Sequence, residues 1–443
     1  MGRSKRFYSL VQLLIDLLVI YFSYFICIYI KNFFGKPYNS INITSIEAFV
    51  PYVAIAYLLL FLIYRLYEIS TIDFYETFLG IFFSTLIIFI LGFALPFFLR
   101  VFAVPRTVII YSFIIQFILL VLLHWIVNKI YINIMPHSKV LLLSKDDSEA
   151  KTVSEYVGNI RTGRTSVELM IVEGKDSLKN VEEVLNTFHL FVIDDSFTLE
   201  EKSELLKIFA YRDKSVYLVP GVYELLLLNP RTHIVNDLTL FEINLVNSSS
   251  IERVVKRAID IIVSLVALIV FSPVILFVSL SILFDSGRPV FFLQERAGVN
   301  GKTFKTIKFR TMIKDAEKYT GPVLSSEDDP RITKVGKFLR KAGFDEILQF
   351  INVLKGDLSV VGPRPERPEL MEKIQKDMPN FDMRLKVRPG ITGFAQLHGK
   401  YDTPSDDKLK MDLLYAKQKN VILTDIYVMF NTVKLFLLPK KRK

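Results

Sequence analysis

The sequence predicts a membrane protein in three parts: four transmembrane α-helices, a small parallel α/β domain, and a mainly helical C-terminal domain with a re-entrant membrane helix. Three observations lead there. Hydrophobic residues make up 51% of 443 and mean hydropathy is +0.37, too apolar for a purely soluble chain and too long for one ordinary domain. Four apolar windows near the N-terminus can each cross a hydrocarbon core of roughly 30 Å. Beyond them, short apolar runs alternate with amphipathic stretches, and a basic region follows.

The windows cover residues 7–30, 49–67, 78–99 and 107–130, within a membrane region of 1–137. The first exceeds a signal-peptide core and no small-residue cleavage site follows, so it is expected to stay in the protein. Arg3, Lys5 and Arg6 precede the first window and Lys129 and Lys139 follow the fourth, which favours both ends in the cytoplasm. Lys31, Lys36, Arg100 and Arg106 fall in the external loops and weaken that bias. The single cysteine, Cys27, excludes an intramolecular disulfide. Asp16 lies inside the first window, where a charge needs a partner, and Arg65 is the candidate.

Residues 138–250 read as the α/β domain, with strands at 139–143, 166–172, 190–194 and 215–219. The first strand runs into Ser144-Lys145-Asp146-Asp147-Ser148. With no glycine for close backbone approach and two carboxylates where an anion would sit, this Rossmann-like layout lacks a dinucleotide fingerprint. Residues 247–250 are the expected linker.

A further apolar run, 261–284, carries Ser272-Pro273 at its midpoint, and proline there predicts a sharp bend. A kinked fifth span and a helix entering and leaving by one face both fit its similar basic flanks. From residue 251 onward there are 34 Lys and Arg against 22 Asp and Glu, so the excess positive charge lies entirely here. Such a surface suits anionic lipid or phosphorylated substrates.

Within this region Asn300-Gly301 marks a hairpin whose second strand sets Thr306, Lys308 and Arg310 on one face. Residues 345–354 are apolar at helical spacing, placing Asp345 and Glu346 at or just inside a helix N-terminus. Ordinary capping accounts for an acid pair there. Adjacent carboxylates also suit covalent phosphoryl chemistry, one attacking phosphorus while the other holds a divalent cation. Arg331, Arg340 and Arg364 are candidate phosphate ligands.

Nine blocks from residue 251 to about 433 resemble the monotopic polyprenyl-phosphate phosphoglycosyltransferases, the undecaprenyl-phosphate sugar phosphotransferases. They begin with Lys256-Arg257-Ala258-Ile259-Asp260, Ser272-Pro273, Gln294-Glu295-Arg296, Lys308-Phe309-Arg310-Thr311-Met312 and Asp329-Pro330-Arg331-Ile332-Thr333. Phe344-Asp345-Glu346, Asn352-Val353-Leu354-Lys355-Gly356-Asp357, Val361-Gly362-Pro363-Arg364-Pro365-Glu366 and Pro389-Gly390-Ile391-Thr392-Gly393 complete them. The four N-terminal helices and α/β domain resemble the larger members in layout. The resemblance implies that 251–443 is a catalytic domain on the cytoplasmic face of a bacterial inner membrane. It implies transfer of a sugar phosphate from a UDP-sugar to polyprenyl phosphate, with Asp345 as nucleophile and UMP released. Glu346 would help hold Mg²⁺, Ser272 and Pro273 would form the re-entrant bend, and Lys308, Arg310, Arg331, Arg340 and Arg364 would bind phosphate. At Ile347-Leu348 the chain departs from the family's Leu-Pro, which puts the geometry of that turn in question.

Membrane lipid is an expected partner, nucleic acid is not, and a homo-oligomer is one open outcome. The alternative of another class is a non-catalytic scaffold or sensor binding anionic lipid. A second rival is an enzyme passing a different phosphorylated alcohol to lipid.

Overall fold

The structure is a computed structural model that describes residues 2–35, 37–67, 74–99, 103–134, 138–158, 165–172, 181, 183–188, 190–212, 214, 216–235, 238–246, 248–314, 316, 329–399 and 403–437. The chain forms two compact units, Met1–Pro220 and Gly221–Lys443.

In the first unit, α1 (Gly2–Phe34), α2 (Ser40–Ile63), α3 (Phe74–Phe98) and α4 (Arg106–Ile134) are each long and apolar enough to cross a membrane. The second starts at Ser40, ahead of its apolar window, and carries Pro51 in its interior. It stops at Ile63 because Arg65 adopts a positive φ of 52° that no right-handed helix can continue through. Tyr24, Phe49, Tyr57 and Phe61 fill the interior, while Leu10, Leu14 and Leu18 point outward, as lipid contact requires. Asp16 is fully buried, and Arg65 is not what holds it. Its carboxylate accepts from Gln12 Nε2 at 2.7 Å, Tyr57 OH at 2.9 Å and His124 Nε2 at 3.0 Å. Gln12, Tyr57 and His124 inside the bundle satisfy this carboxylate where the sequence suggested Arg65.

The rest of this unit contains β1 (Ser138–Ser144), α5 (Asp147–Gly158), β2 (Thr165–Ile171), β3 (Leu190–Ile193), α6 (Leu199–Tyr211) and β4 (Val216–Leu218). The strands are parallel in the order β2-β1-β3-β4. Alternate residues serve opposite faces: Leu141 and Leu143 pack with Phe191 and Phe209, whereas Val140 and Leu142 pack with Leu190 and Val192. Where the first strand ends, Ser144 Oγ bonds the backbone of Asp146 and Lys145 N–H donates to Ser196 Oγ at 2.9 Å. The turn spends these polar groups on its own backbone and on the neighbouring Ser196.

The second unit begins with α7 (Val222–Leu226) and a hairpin of β5 (Arg231–Val235) and β6 (Leu238–Glu242). Leu225 enters a core with Met371, Phe381, Leu409 and Leu413. Lys417 Nζ donates to Leu226 O at 2.5 Å and Asn244 O at 2.6 Å. This buried core and lysine tie residues 221–246 to the C-terminal region, so the 247–250 segment falls inside the second unit; Asn247 lies outside the described residues. Ser249 then opens α8 (Ser250–Val270) with a capping box to Glu252.

At Phe271 this helix breaks into α9 (Ser272–Ser286), bent by 59°. Pro273 stands in the first turn of α9, where its missing N–H costs nothing. The hairpin β7 (Phe291–Ala297) and β8 (Thr303–Phe309) follows. Next come α10 (Lys334–Ala342), α11 (Gln349–Lys355), the parallel pair β9 (Ser359–Val361) and β10 (Gly390–Thr392), and α12 (Pro368–Asp377) between them. Finally α13 (Phe394–His398), α14 (Ser405–Ala416) and α15 (Val421–Leu437) close the unit. Lys440 to Lys443, a basic tail suited to anionic lipid, lie outside the described residues.

Candidate active site

Residues from well-separated blocks converge because buried polar side chains clamp the elements together. Asp260 on α8 accepts from Ser359 Oγ at 2.8 Å and Val360 N–H at 3.0 Å. Arg257 donates to Val353 O at 2.6 Å and Leu354 O at 3.0 Å, satisfying the carbonyl end of α11. Asn352, wholly buried on α11, accepts from Ile307 N–H at 2.9 Å and donates to Lys305 O at 2.8 Å, fixing the helix against β8. Gly362 stands so close to the other strand that a Cβ would lie 2.3 Å from Arg388 O. These clamps give the order and spacing of the blocks a physical reason that the sequence alone did not show.

Gly343 ends α10 in the left-handed conformation (φ 65°), and Phe344–Glu346 continue as one 3₁₀ turn. Asp345 and Glu346 therefore sit in a tight turn ahead of α11, not within the first turn of a long helix. Ile347 and Leu348 are buried beneath it, Leu348 packing with Val278, Ile282, Phe309 and Leu339. Apolar packing holds the turn where the family has proline. Phe344 also meets Phe271 at the helix break, with ring centroids 6.5 Å apart.

The two carboxylates have opposite surroundings. Glu346 Oε1 accepts from Lys308 Nζ at 2.6 Å and Arg364 Nη2 at 2.7 Å, and Oε2 accepts from Arg364 Nη1 at 3.2 Å. Burial alone would raise its pKa, but the Arg364 and Lys308 charges outweigh that and hold it well below the usual carboxylate range. Asp345 accepts no side-chain hydrogen bond among the described residues. Burial first, and then the Glu346 charge, push its pKa up, while Lys308 and Arg340 pull it back. One acid is fixed as an anion and the other is left open.

The remaining basic candidates are placed differently. Arg340 donates Nε to Thr311 Oγ1 at 2.8 Å and stands close enough to act on both Asp345 and Asp329. Arg331 spends Nε and Nη2 on Asp329, at 2.9 and 2.6 Å, and together with its own N–H holds that acid down at about 2. Arg310 is buried, and its Nη2 donates to Ser286 and Gly287 while Nε and Nη1 have no partner among the described residues. Ser272 and Pro273 lie at the break itself, Ser272 Oγ donating to Ile269 O at 2.7 Å.

Among the described residues no three His, Cys, Asp or Glu side chains gather around one point. The donor set for a hard cation is Asp345 together with the Glu346 oxygen that carries only the 3.2 Å bond. Such a pair fits Mg²⁺ when substrate phosphates complete the shell.

Fold and site together define a membrane-anchored protein whose charged unit gathers an acid pair among arginines and lysines beside a bent apolar helix. Comparison with known proteins gives the class a family. The bacterial sugar transferase family model matches residues 251–439. An exopolysaccharide production protein of Rhizobium leguminosarum bv. phaseoli is 40% identical over 190 residues, 41% of this chain and 94% of that relative. The UDP-N-acetylgalactosamine-undecaprenyl-phosphate N-acetylgalactosaminephosphotransferase of Aeromonas hydrophila is 38% identical over 192 residues, 43% of this chain and 45% of its own. The UDP-glucose:undecaprenyl-phosphate glucose-1-phosphate transferase of Escherichia coli K12 is 38% identical over 224 residues, 49% and 48%. The chain thus spans about half the length of these last two relatives. It belongs to the bacterial sugar transferase family.

Proposed function

We propose that the chain transfers a sugar 1-phosphate from a UDP-sugar to undecaprenyl phosphate at the cytoplasmic face of a bacterial inner membrane, the first membrane step of a surface polysaccharide. The observation that carries this reading is the asymmetry of the acid pair. A carboxylate left without side-chain hydrogen bonds among the described residues, beside one clamped by two cations, is an arrangement that suits a nucleophile and its electrostatic support. Asp345 attacks the sugar-bearing phosphorus, a new O–P bond forms, and the bond to UMP breaks with its electron pair. An oxygen of the lipid phosphate then attacks the same phosphorus and frees Asp345.

Lys308, Arg340 and Arg364, which act on the acid pair, would offset the phosphate charge, with Arg310 buried behind them. Arg331 would act through Asp329, to which its guanidinium is committed. Mg²⁺ would be held by Glu346 with the diphosphate, and when bound it lowers the cost of charge on the phosphate oxygens. The exposed apolar faces of α8 and α9, including Ile262, Ile269, Leu276 and Phe284, support an anchor lying in the lipid interface.

Inverted membrane vesicles carrying the protein should release UMP from one of a panel of UDP-sugars with Mg²⁺. Sealed right-side-out vesicles should not. Without lipid phosphate the release should stop after about one UMP per active enzyme, as a covalent intermediate demands. Continuous release without acceptor, or release only from right-side-out vesicles, would overturn the mechanism or the orientation respectively.

A further inference from the structure

Between α9 and α10 runs an open groove of about 540 Å³, inside the range of roughly 300–1,000 Å³ typical of small-molecule sites. Val278 and Leu339 form its floor and are buried in the core beneath, while Phe277 and Phe338 rise on either side, 72% and 64% exposed. Its polar lining consists of Ser281, whose hydroxyl is spent on Phe277 O at 2.9 Å, and Lys334. The groove therefore offers an occupant apolar contact and almost no hydrogen bonding. Phe344 also lines the groove and is the chain neighbour of Asp345.

We infer that this groove holds the first isoprene units of the lipid acceptor, so that the chain lies along α9 and α10 while its phosphate reaches the carboxylate of Asp345. The inference rests on the proposed function for the identity of the acceptor. Three features select an isoprenoid chain. The lining is apolar along its length, which excludes the sugar, the uridine and the diphosphate, each of which needs polar partners. One lining residue, Phe344, shares a 3₁₀ turn with Asp345, so an occupant's polar end has the acid pair beside it. It also opens on the bent helix pair whose exposed apolar face is proposed to lie in lipid, the phase from which a polyprenyl phosphate arrives.

Ser281→Trp and Val274→Trp fill the groove from α9 and replace no charged residue. Transfer rates, divided by each variant's own burst amplitude so that unfolded protein drops out, are measured with undecaprenyl phosphate and with farnesyl phosphate. The apparent KM for the long acceptor should rise at least about ten-fold, the factor that losing roughly two buried methylene contacts produces. The short acceptor should suffer less. A second measurement needs no turnover: a diazirine-bearing prenyl phosphate, photolysed on the intact protein in nanodiscs, should label peptides containing Phe277 or Phe338. Undecaprenyl phosphate should compete and phosphatidylglycerol should not.

Unchanged KM values, labelling elsewhere, or equal competition by phosphatidylglycerol would overturn the inference, the last meaning that the groove is ordinary lipid-facing surface. Absence of any burst from the unaltered protein would instead sink the proposed function, and the labelling result would still decide what the groove binds.

Discussion

Each unit of the molecule buries an acidic side chain, and the two do it in opposite ways. In the N-terminal bundle Asp16 gathers Gln12, Tyr57 and His124, so the carboxylate is enclosed and its hydrogen bonds are made within the bundle. In the C-terminal unit two cations take Glu346 and leave its neighbour Asp345 with no side-chain partner among the described residues. Protein donors fix Asp16 and Glu346, whereas Asp345, partly buried, has no side-chain donor among the described residues. The difference teaches that the less satisfied group is the better guide to chemistry, because a carboxylate without side-chain donors remains open to a ligand.

The sharpest test acts on the open acid. Asp345→Asn keeps the volume and removes the attacking charge, so the UMP burst should fall below detection, a loss of at least about 10³-fold, in keeping with removal of a nucleophile. Circular dichroism and thermal unfolding should show an intact fold. A normal burst from this variant would mean that Asp345 is not the group that attacks.

The next test sets the two satisfied acids against each other. Glu346→Ala leaves Lys308 and Arg364 without their counter-ion. Because Arg364 is 42% exposed, the cost should be roughly 1–3 kcal/mol, less than the roughly 3–5 kcal/mol for a fully buried pair. Asp16→Ala strips an acceptor from three donors inside the bundle and should cost a similar 1–3 kcal/mol or so, given about 0.6–1.7 kcal/mol for a hydrogen bond between membrane helices. The readouts should then separate. Glu346→Ala should lose burst rate per folded molecule, whereas Asp16→Ala should lower only the midpoint of thermal unfolding in detergent. A slower burst from folded Asp16→Ala protein would break the comparison, since the bundle's acid would then serve the reaction.

How much of this was legible in the sequence follows from the range of each interaction. The four parallel strands lie within one or two residues of where apolar runs and their flanks put them; the central β1 and β3, buried on both faces, write themselves as continuous apolar segments. The break at Ser272-Pro273 was legible because proline acts locally. The turn carrying Asp345 was not, since the apolar spacing of 345–354 does not reveal that Gly343 turns left-handed and that a 3₁₀ turn intervenes. Asp16 suggested Arg65 because a sequence offers opposite charges first, while the fold supplied Tyr57 and His124, 41 and 108 positions away. Asn352 and Asp260 look like any polar residue in a helix until their partners on β8 and β9 are in place.

The smallest effect tests the electrostatics of the pair directly. Asp345 must be ionised to attack, and burial together with the Glu346 charge raises its pKa, so the burst rate should be level near neutrality and fall as pH drops. The fall should begin above the ordinary aspartate value of about 3.9. Because the ionised form is the one that burial disfavours, Asp345 lends the fold stability only below the unfolded pKa, and that contribution is lost as pH rises through the folded one. Glu346 behaves in the opposite sense: its depressed pKa stabilises the fold above the ordinary glutamate range, and that contribution disappears only as pH falls far below it. Glu346→Gln removes the like charge and should move the acid limb of the burst down. Arg340→Gln removes a cation that favours ionised Asp345 and should move it up. The limb is read from its position on the pH axis at saturating UDP-sugar, so weaker binding or slower turnover in either variant does not disturb it. Two variants of opposite charge change that shift the limb the same way, or a limb at the ordinary aspartate value in the unaltered protein, would show that some other group sets the pH dependence.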